Sequence, residues 1–197
     1  MGGHRRTVAV AFSGGRDSLA LLHATTGVAA TLGLEVVALH VNHGLVPGAD
    51  DWVRSAQRLC ARWRARGRPV RLLWRRLEGT PAKGESVEAW ARRGRYAALH
   101  RMATECGASI ILLAQHRRDQ AETFLLQALR GGGPRALAGM PRTIEREGVT
   151  WSRPWITQPR ATIDAYIERY RLRPIEDPSN ADARWGRHPV GPRGGAP

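Results

Sequence analysis

Residues 7–18 read Thr-Val-Ala-Val-Ala-Phe-Ser-Gly-Gly-Arg-Asp-Ser, and the architecture of the chain can be worked outward from them. Thr7 to Phe12 is a short apolar run of the kind that forms a buried parallel strand. Ser13-Gly14-Gly15-Arg16-Asp17-Ser18 stops that strand, and Leu19-Ala20-Leu21-Leu22 opens an apolar helical pattern. The order is strand, glycine turn, helix. Gly14 and Gly15 admit backbone conformations that a side chain forbids, and the free N–H groups of the new helix point outward at its start. Such a turn binds anions, phosphate above all. Ser13 and Ser18 add hydroxyl donors. Asp17 is awkward beside a bare phosphate unless it holds a helix N–H or a divalent cation shared with the phosphates, so Mg²⁺ is expected here.

The loop has neither the Lys of G-x-x-x-x-G-K-[ST] nor the spacing of G-x-G-x-x-G. A glycine pair alone can simply turn a chain. The full hexapeptide after an apolar strand is more specific: it resembles the pyrophosphate-binding loop of the ATP-pyrophosphatase, or PP-loop, superfamily. That resemblance implies ATP as substrate, cleaved between its α- and β-phosphates to adenylate a second molecule.

A length of 197 residues suits one ordinary α/β domain with a real core. The formal charge of +14 favours a polyanionic partner such as RNA or DNA. All basic residues except Lys83 are Arg, however, and coding bias would produce the same excess. Cys60 and Cys106 lie far apart and outside any C-x-x-C pair, which argues against a disulfide framework, a zinc ribbon or an iron–sulfur cluster. The start, MGGHRRTVAV, lacks a signal-peptide apolar region, and no run approaches a membrane span. The expected setting is the cytoplasm, with no membrane partner.

Further along, the first helix should fade near Gly33, and Leu34 to Val41 reads as a second strand. His40-Val41-Asn42-His43 gathers polar groups where that strand stops, and strand C-termini are where ligands bind in open parallel sheets. His40 and Asn42 are therefore candidate adenine contacts. A helix follows from Gly48 to about Arg66, with Asp50 and Asp51 suited to its N-terminus. Pro69 to Trp74 gives a third strand. Ser86 should cap a helix from Val87 to about Cys106. Within that helix Glu88, Arg92, Arg95 and Tyr96 share overlapping faces, as a solvated ion-pair ladder or as part of a site.

Ser109 to Ala114 is a fourth buried strand, followed by Gln115-His116-Arg117-Arg118-Asp119-Gln120-Ala121-Glu122-Thr123. Asp119 and Glu122 are three apart at a helix start. Their carboxylates can converge over the strand ends, and a capping box has the same spacing. Phe124, Leu125, Leu126 and Leu129 form that helix's apolar side, and Arg130-Gly131-Gly132-Gly133-Pro134 ends it. The fold class expected is an open, mainly parallel, Rossmann-like α/β sheet with helices on both faces.

Taken in order, SGGRDS, HVNHGL, EAWARRGRY, AQHRRDQAET and RGGGPRALAGM resemble the N-terminal catalytic domain of bacterial tRNA(Ile)-lysidine synthetases. The later RPWI, a helix from Arg160 to Tyr170 and Glu176-Asp177-Pro178-Ser179-Asn180 continue the match over roughly residues 7–180. The resemblance implies ATP-dependent attachment of free L-lysine to the wobble cytidine of tRNA(Ile) with a CAU anticodon. The base would be adenylated first, with pyrophosphate and then AMP released. It also implies roles. Ser13, Gly14, Gly15, Arg16, Asp17 and Ser18 would hold the phosphates of ATP, with Asp17 serving Mg²⁺. Arg92 would neutralise developing phosphate charge. Asp119 and Glu122 would bind lysine, one of them accepting its proton. A homodimer is compatible with this reading.

The chain departs from the family pattern twice. Arg118 stands where the family has an Asp, a cation beside the presumed lysine site. After Asn180 the family continues into an Arg-Asn-containing helix and C-terminal tRNA-gripping domains, whereas residues 181–197 are Gly- and Pro-rich and weakly apolar. The division expected is a catalytic domain over 1–180 and a tail over 181–197 that does not fold, from a frameshift or truncation soon after Asp182. Two other readings use the same loop. A tRNA thiolase would deliver sulfur in place of the amine, and a non-catalytic nucleotide- or RNA-binding fragment would bind ATP without turnover.

Overall fold

The computed structural model describes residues 6–44 and 48–175. The expected family motif at 176–180 and the expected tail at 181–197 lie outside them. Twelve elements follow one another in these residues. They are β1 (Thr7–Ala11), α1 (Arg16–Leu32), β2 (Glu35–Asn42), α2 (Ala49–Ala65), β3 (Val70–Arg76) and α3 (Val87–Glu105). Then come β4 (Ile110–Leu112), α4 (Arg117–Leu129), α5 (Pro134–Leu137), β5 (Thr143–Arg146), β6 (Val149–Ser152) and α6 (Arg160–Arg169).

The strands form one sheet in the order β3-β2-β1-β4-β6-β5, parallel throughout except for the β5–β6 pair. The chain winds outward from β1 through β2 to β3, then returns to place β4 on the other side of β1. The order therefore reverses between β1 and β4, the position where ligands bind in open α/β sheets.

Alternation along the strands sorts the core into two layers. Ala9, Val37, Leu39 and Ile111 face α3 through Leu99, Met102 and Ala103. Val10, Val36, Ala38 and Val70 face α1 and α2 through Leu19, Leu22, Leu59, Cys60 and Trp63. Helices thus cover both faces, as expected. Gly33 ends α1 in the left-handed conformation at φ 65°, where its N–H bonds the Ala29 carbonyl. Ser86 caps α3, accepting from the Ala89 N–H. At the end of the chain's described part, α6 lays Ile163 and Ile167 on Ala20 of α1.

Two sequence expectations change. The hairpin of β5 and β6 extends the sheet beyond the four strands read from the sequence. It turns at Glu147 and Gly148, whose φ angles of 51° and 74° are both positive, as a tight hairpin requires. The apolar side expected for α4 is not buried: Phe124, Leu125, Leu126 and Leu129 are 45, 58, 52 and 85% exposed. No residue of α4 is buried, although α5 packs against it and Gln120 bonds the Met140 backbone.

Candidate active site

At the switch point, the loop after β1 and the loop after β4 face each other across a cleft of about 260 Å³. Ser13, Gly15, Asp17 and Ser18 line it from the first loop, and Ala114, Gln115 and Asp119 from the second. His43, beyond the end of β2, and Arg95 and Tyr96 of α3 complete the walls.

The glycine turn is braced from inside. Ser18 Oγ donates to the Gly15 carbonyl at 3.0 Å and accepts from Ser13 N–H at 3.2 Å. Its proton being so engaged, the 3.0 Å contact between the two hydroxyls runs from Ser13 to Ser18. Ser13 Oγ also accepts from Gly15 N–H at 3.3 Å. The serines expected as phosphate donors thus tie the loop's two ends together, leaving the first-turn amides of α1 to meet an anion. Gly14, at φ 90°, lies under Ile175: a Cβ there would come within 3.1 Å of the Ile175 side chain, whose N–H bonds the Gly14 carbonyl. Arg16 turns away from the cleft and pairs with Asp164 at 2.8 Å.

Asp17 sits in the first turn of α1, and its Oδ1 is buried with no hydrogen-bond partner among the described residues. Burial raises its pKa, against the opposing influence of His116 and Arg160. His43 Nδ1 and Gln115 Oε1 are likewise buried and unpartnered. Three orphaned polar atoms on one cleft mark it as built for a polar ligand.

Across the cleft, His116 is the N-cap of α4 and is only 2% exposed. Its Nδ1 accepts from Arg118 N–H at 3.2 Å, and its own N–H donates to Asp119 Oδ2 at 2.8 Å. The capping box is therefore His116 with Asp119, not Asp119 with Glu122. Asp119 lines the cleft, while Glu122 lies on the exposed side of α4, bonded to Arg118 at 2.9 Å. Of the two carboxylates expected to converge, Asp119 lines the cleft and Glu122 is paired with Arg118.

Other sequence candidates also sit elsewhere. His40 is buried and donates from Nδ1 to the Phe12 carbonyl at 2.9 Å. Asn42 bridges Asp50 and the Gly44 N–H, both at 2.8 Å, which fixes the entry to α2. Neither lines the cleft; His43 does. Arg92 stacks over Tyr96 at 5.8 Å, and Arg95, one turn on, reaches the cleft in its place. Arg95 is an exposed residue, yet desolvation lowers its pKa and the nearby Arg92 lowers it further. The sequence marks Arg95 and His43 only by motif neighbourhood, since either helix face or strand end suits the pattern.

A family model described as a PP-loop domain matches residues 3–191. The chain belongs to the PP-loop domain family. The match runs past the residue 180 boundary read from the motifs. Among curated PP-loop relatives, the tRNA(Ile)-lysidine synthase of Ralstonia nicotianae is 47% identical over 188 residues, covering 94% of this chain and 39% of that protein. The tRNA(Ile)-lysidine synthase of Chromobacterium violaceum is 44% identical over 184 residues, covering 91% and 40%. This chain thus spans about two fifths of the length of those relatives. A solved U34-tRNA thiolase from Methanococcus maripaludis, bearing a [4Fe-4S] cluster, shares the fold. Its TM-score is 0.69 at 17% identity, over 88% of this chain and 60% of that one.

The PP-loop cleft suits a divalent cation brought in with phosphates. Mg²⁺ takes one or two carboxylates and completes its shell with phosphate oxygens and water. Asp17 Oδ1 offers one such ligand, buried and unclaimed. Among the described residues no cluster of three or more acidic, His or Cys side chains could hold a metal by itself. No helix of the described residues is long and apolar enough to cross a membrane.

Proposed function

We propose that this chain is the ATP-using catalytic unit of a tRNA(Ile)-lysidine synthase, joining free L-lysine to the wobble cytidine of tRNA(Ile) with a CAU anticodon. The observation that carries the reading is one cleft holding a braced anion loop, an orphaned carboxylate and a second carboxylate. It lies in a chain 47% identical to such a synthase over 188 residues.

The phosphates of ATP lie on the first-turn amides of α1, where the helix dipole favours negative charge. The cytidine O2 attacks the α-phosphorus, and pyrophosphate leaves with the electrons of the broken P–O bond. Arg95 faces the charge that develops on the phosphates. Lysine's ε-amine then adds to C2 of the activated base, and AMP leaves with the C2–O bonding electrons. Asp119, which lines the cleft, would take the amine's proton. Glu122 would draw the lysine ammonium toward the same helix end. Asp17 would hold Mg²⁺, which when bound supplies positive charge between the phosphates.

In this reading residues 1–180 are the catalytic unit, and further tRNA contacts come from the length that full synthases have beyond it. The setting is the cytoplasm, where tRNA, ATP and lysine meet. The thiolase reading has the likeness of fold alone, and Cys60 and Cys106 pack into opposite faces of the sheet, so they cannot ligate one cluster together. Lysine-dependent AMP formation on a tRNA(Ile) transcript tests the proposal.

A further inference from the structure

We propose that His116 is a positioning residue that sets the Asp17 carboxylate for nucleotide binding and locks it to the start of α4. The inference rests on reading the cleft as an ATP site, but not on lysine or tRNA as the other substrates.

The backbone brings the two sides together. β1 and β4 are neighbours, so the first turn of α1 and the N-cap of α4 lie side by side at the switch point. His116 fills the space between them and is nearly inaccessible to water. Its Nδ1 accepts a hydrogen bond from Arg118 N–H, so in the neutral ring the proton is on Nε2. That nitrogen lies 3.8 Å from Asp17 Oδ2. On the Nδ1 side, Asp119 Oδ2 is 3.5 Å from the ring and bonded to the residue's own N–H. One imidazole therefore stands between the carboxylate at the phosphate loop and the carboxylate of α4.

Capping alone does not call for His. Asn, Asp, Ser and Thr are the preferred N-caps, and each offers an acceptor to the first turn. What imidazole adds is a second nitrogen, carrying a proton, on the far side of the ring. With Asp17 Oδ2 turned toward that proton, Oδ1 is left unpartnered on the cleft side. This is the arrangement in which a neighbour orients a carboxylate for a cation or a phosphate-bound ligand.

The test separates the two nitrogens. His116→Asn keeps an acceptor near Nδ1 and loses the reach to Asp17, whereas His116→Gln carries an amide N–H out toward the Nε2 position and caps poorly. Binding of Mg²⁺ with α,β-methylene ATP is measured by calorimetry on the full chain, without tRNA or lysine, together with the melting temperature. The expected result is a loss of affinity of about tenfold or more in His116→Asn, with melting close to wild type. His116→Gln melts lower but binds better than His116→Asn.

In an Asp17→Asn background the His116→Asn effect should vanish, since the two residues act through one contact. Wild-type affinity in His116→Asn, or an undiminished effect in the Asp17→Asn background, overturns the proposal. If His116→Asn does not fold, His116→Gln decides alone: affinity within about threefold of wild type supports the proposal and a tenfold loss overturns it. A wild-type chain that binds the nucleotide but makes no lysidine would defeat the proposed function and leave this inference standing.

Discussion

Arg118 donates from Nε to Glu122 Oε1 at 2.9 Å, so one of the two carboxylates assigned to lysine is already partnered by a cation from its own helix. Both side chains are more than half exposed, and such pairs contribute at most about 1 kcal/mol. Arg118→Ala should therefore leave the melting temperature nearly unchanged while freeing Glu122. In the proposed reaction it lowers the KM for lysine severalfold and leaves the KM for ATP alone. A lysine titration of the variant checks this, and an unchanged or raised lysine KM counts against a lysine role for Glu122.

Arg95 and Arg92 make opposite predictions. Arg95 lines the cleft, and removing a donor aimed at developing charge costs about 100-fold or more in turnover. Arg92 stacks on Tyr96 outside it, an interaction worth about 0.5–1 kcal/mol at an exposed site, so Arg92→Ala should slow the reaction by less than about fivefold. Measured kcat for the two Ala variants compares them directly. The reverse ranking would restore Arg92 to the role that the family resemblance implied.

Gly14→Ala places a Cβ on a backbone at φ 90° and against Ile175. Strain of about 1–3 kcal/mol should appear as a lower melting temperature and weaker ATP binding. Adding Ile175→Ala relieves the crowding but not the dihedral, so recovery should be partial. Full recovery would show that packing alone requires glycine there.

His23 gives a pH signature away from the cleft. Its Nε2 accepts from Arg68 at 2.6 Å, and its Nδ1–H donates to Tyr166 at 2.9 Å, so the folded ring is neutral. Burial, with Arg68 adding to it, lowers its pKa from 6.5 to about 4. Between those values the unfolded chain binds more protons than the folded one, so stability rises with pH across this window. The contribution is complete above pH 6.5 and lost progressively as pH falls to about 4. Melting temperature against pH for wild type and His23→Gln checks it. The wild-type curve should fall more steeply over that range, and parallel curves would contradict the assignment.

The sequence made the nucleotide half of the cleft readable and left the other half obscure, for physical reasons. An apolar strand running into two glycines and a helix has few alternative structures, so β1, the turn and α1 fall where expected. Side-chain direction is not coded in that way. Asp119 and Glu122 share a face by spacing, but whether they converge depends on Arg118 and on the N-cap that His116 supplies. His40 and Asn42 sit at a strand end, where polar groups serve ligand and backbone equally well, and here they serve the backbone. The β5–β6 hairpin was hidden because its strands are four residues long and its turn is Glu-Gly where Asn-Gly or Asp-Gly is the usual signal. The exposed leucines of α4 show the limit of periodicity: it finds an apolar face but not what covers it.

The most direct test of the central claim is AMP formation from ATP by the purified chain with a tRNA(Ile) transcript, with and without lysine, beside Asp17→Ala. The account predicts AMP that requires both tRNA and lysine and disappears in Asp17→Ala. AMP formed with tRNA but indifferent to lysine, or none at all from a chain that binds ATP, would contradict it.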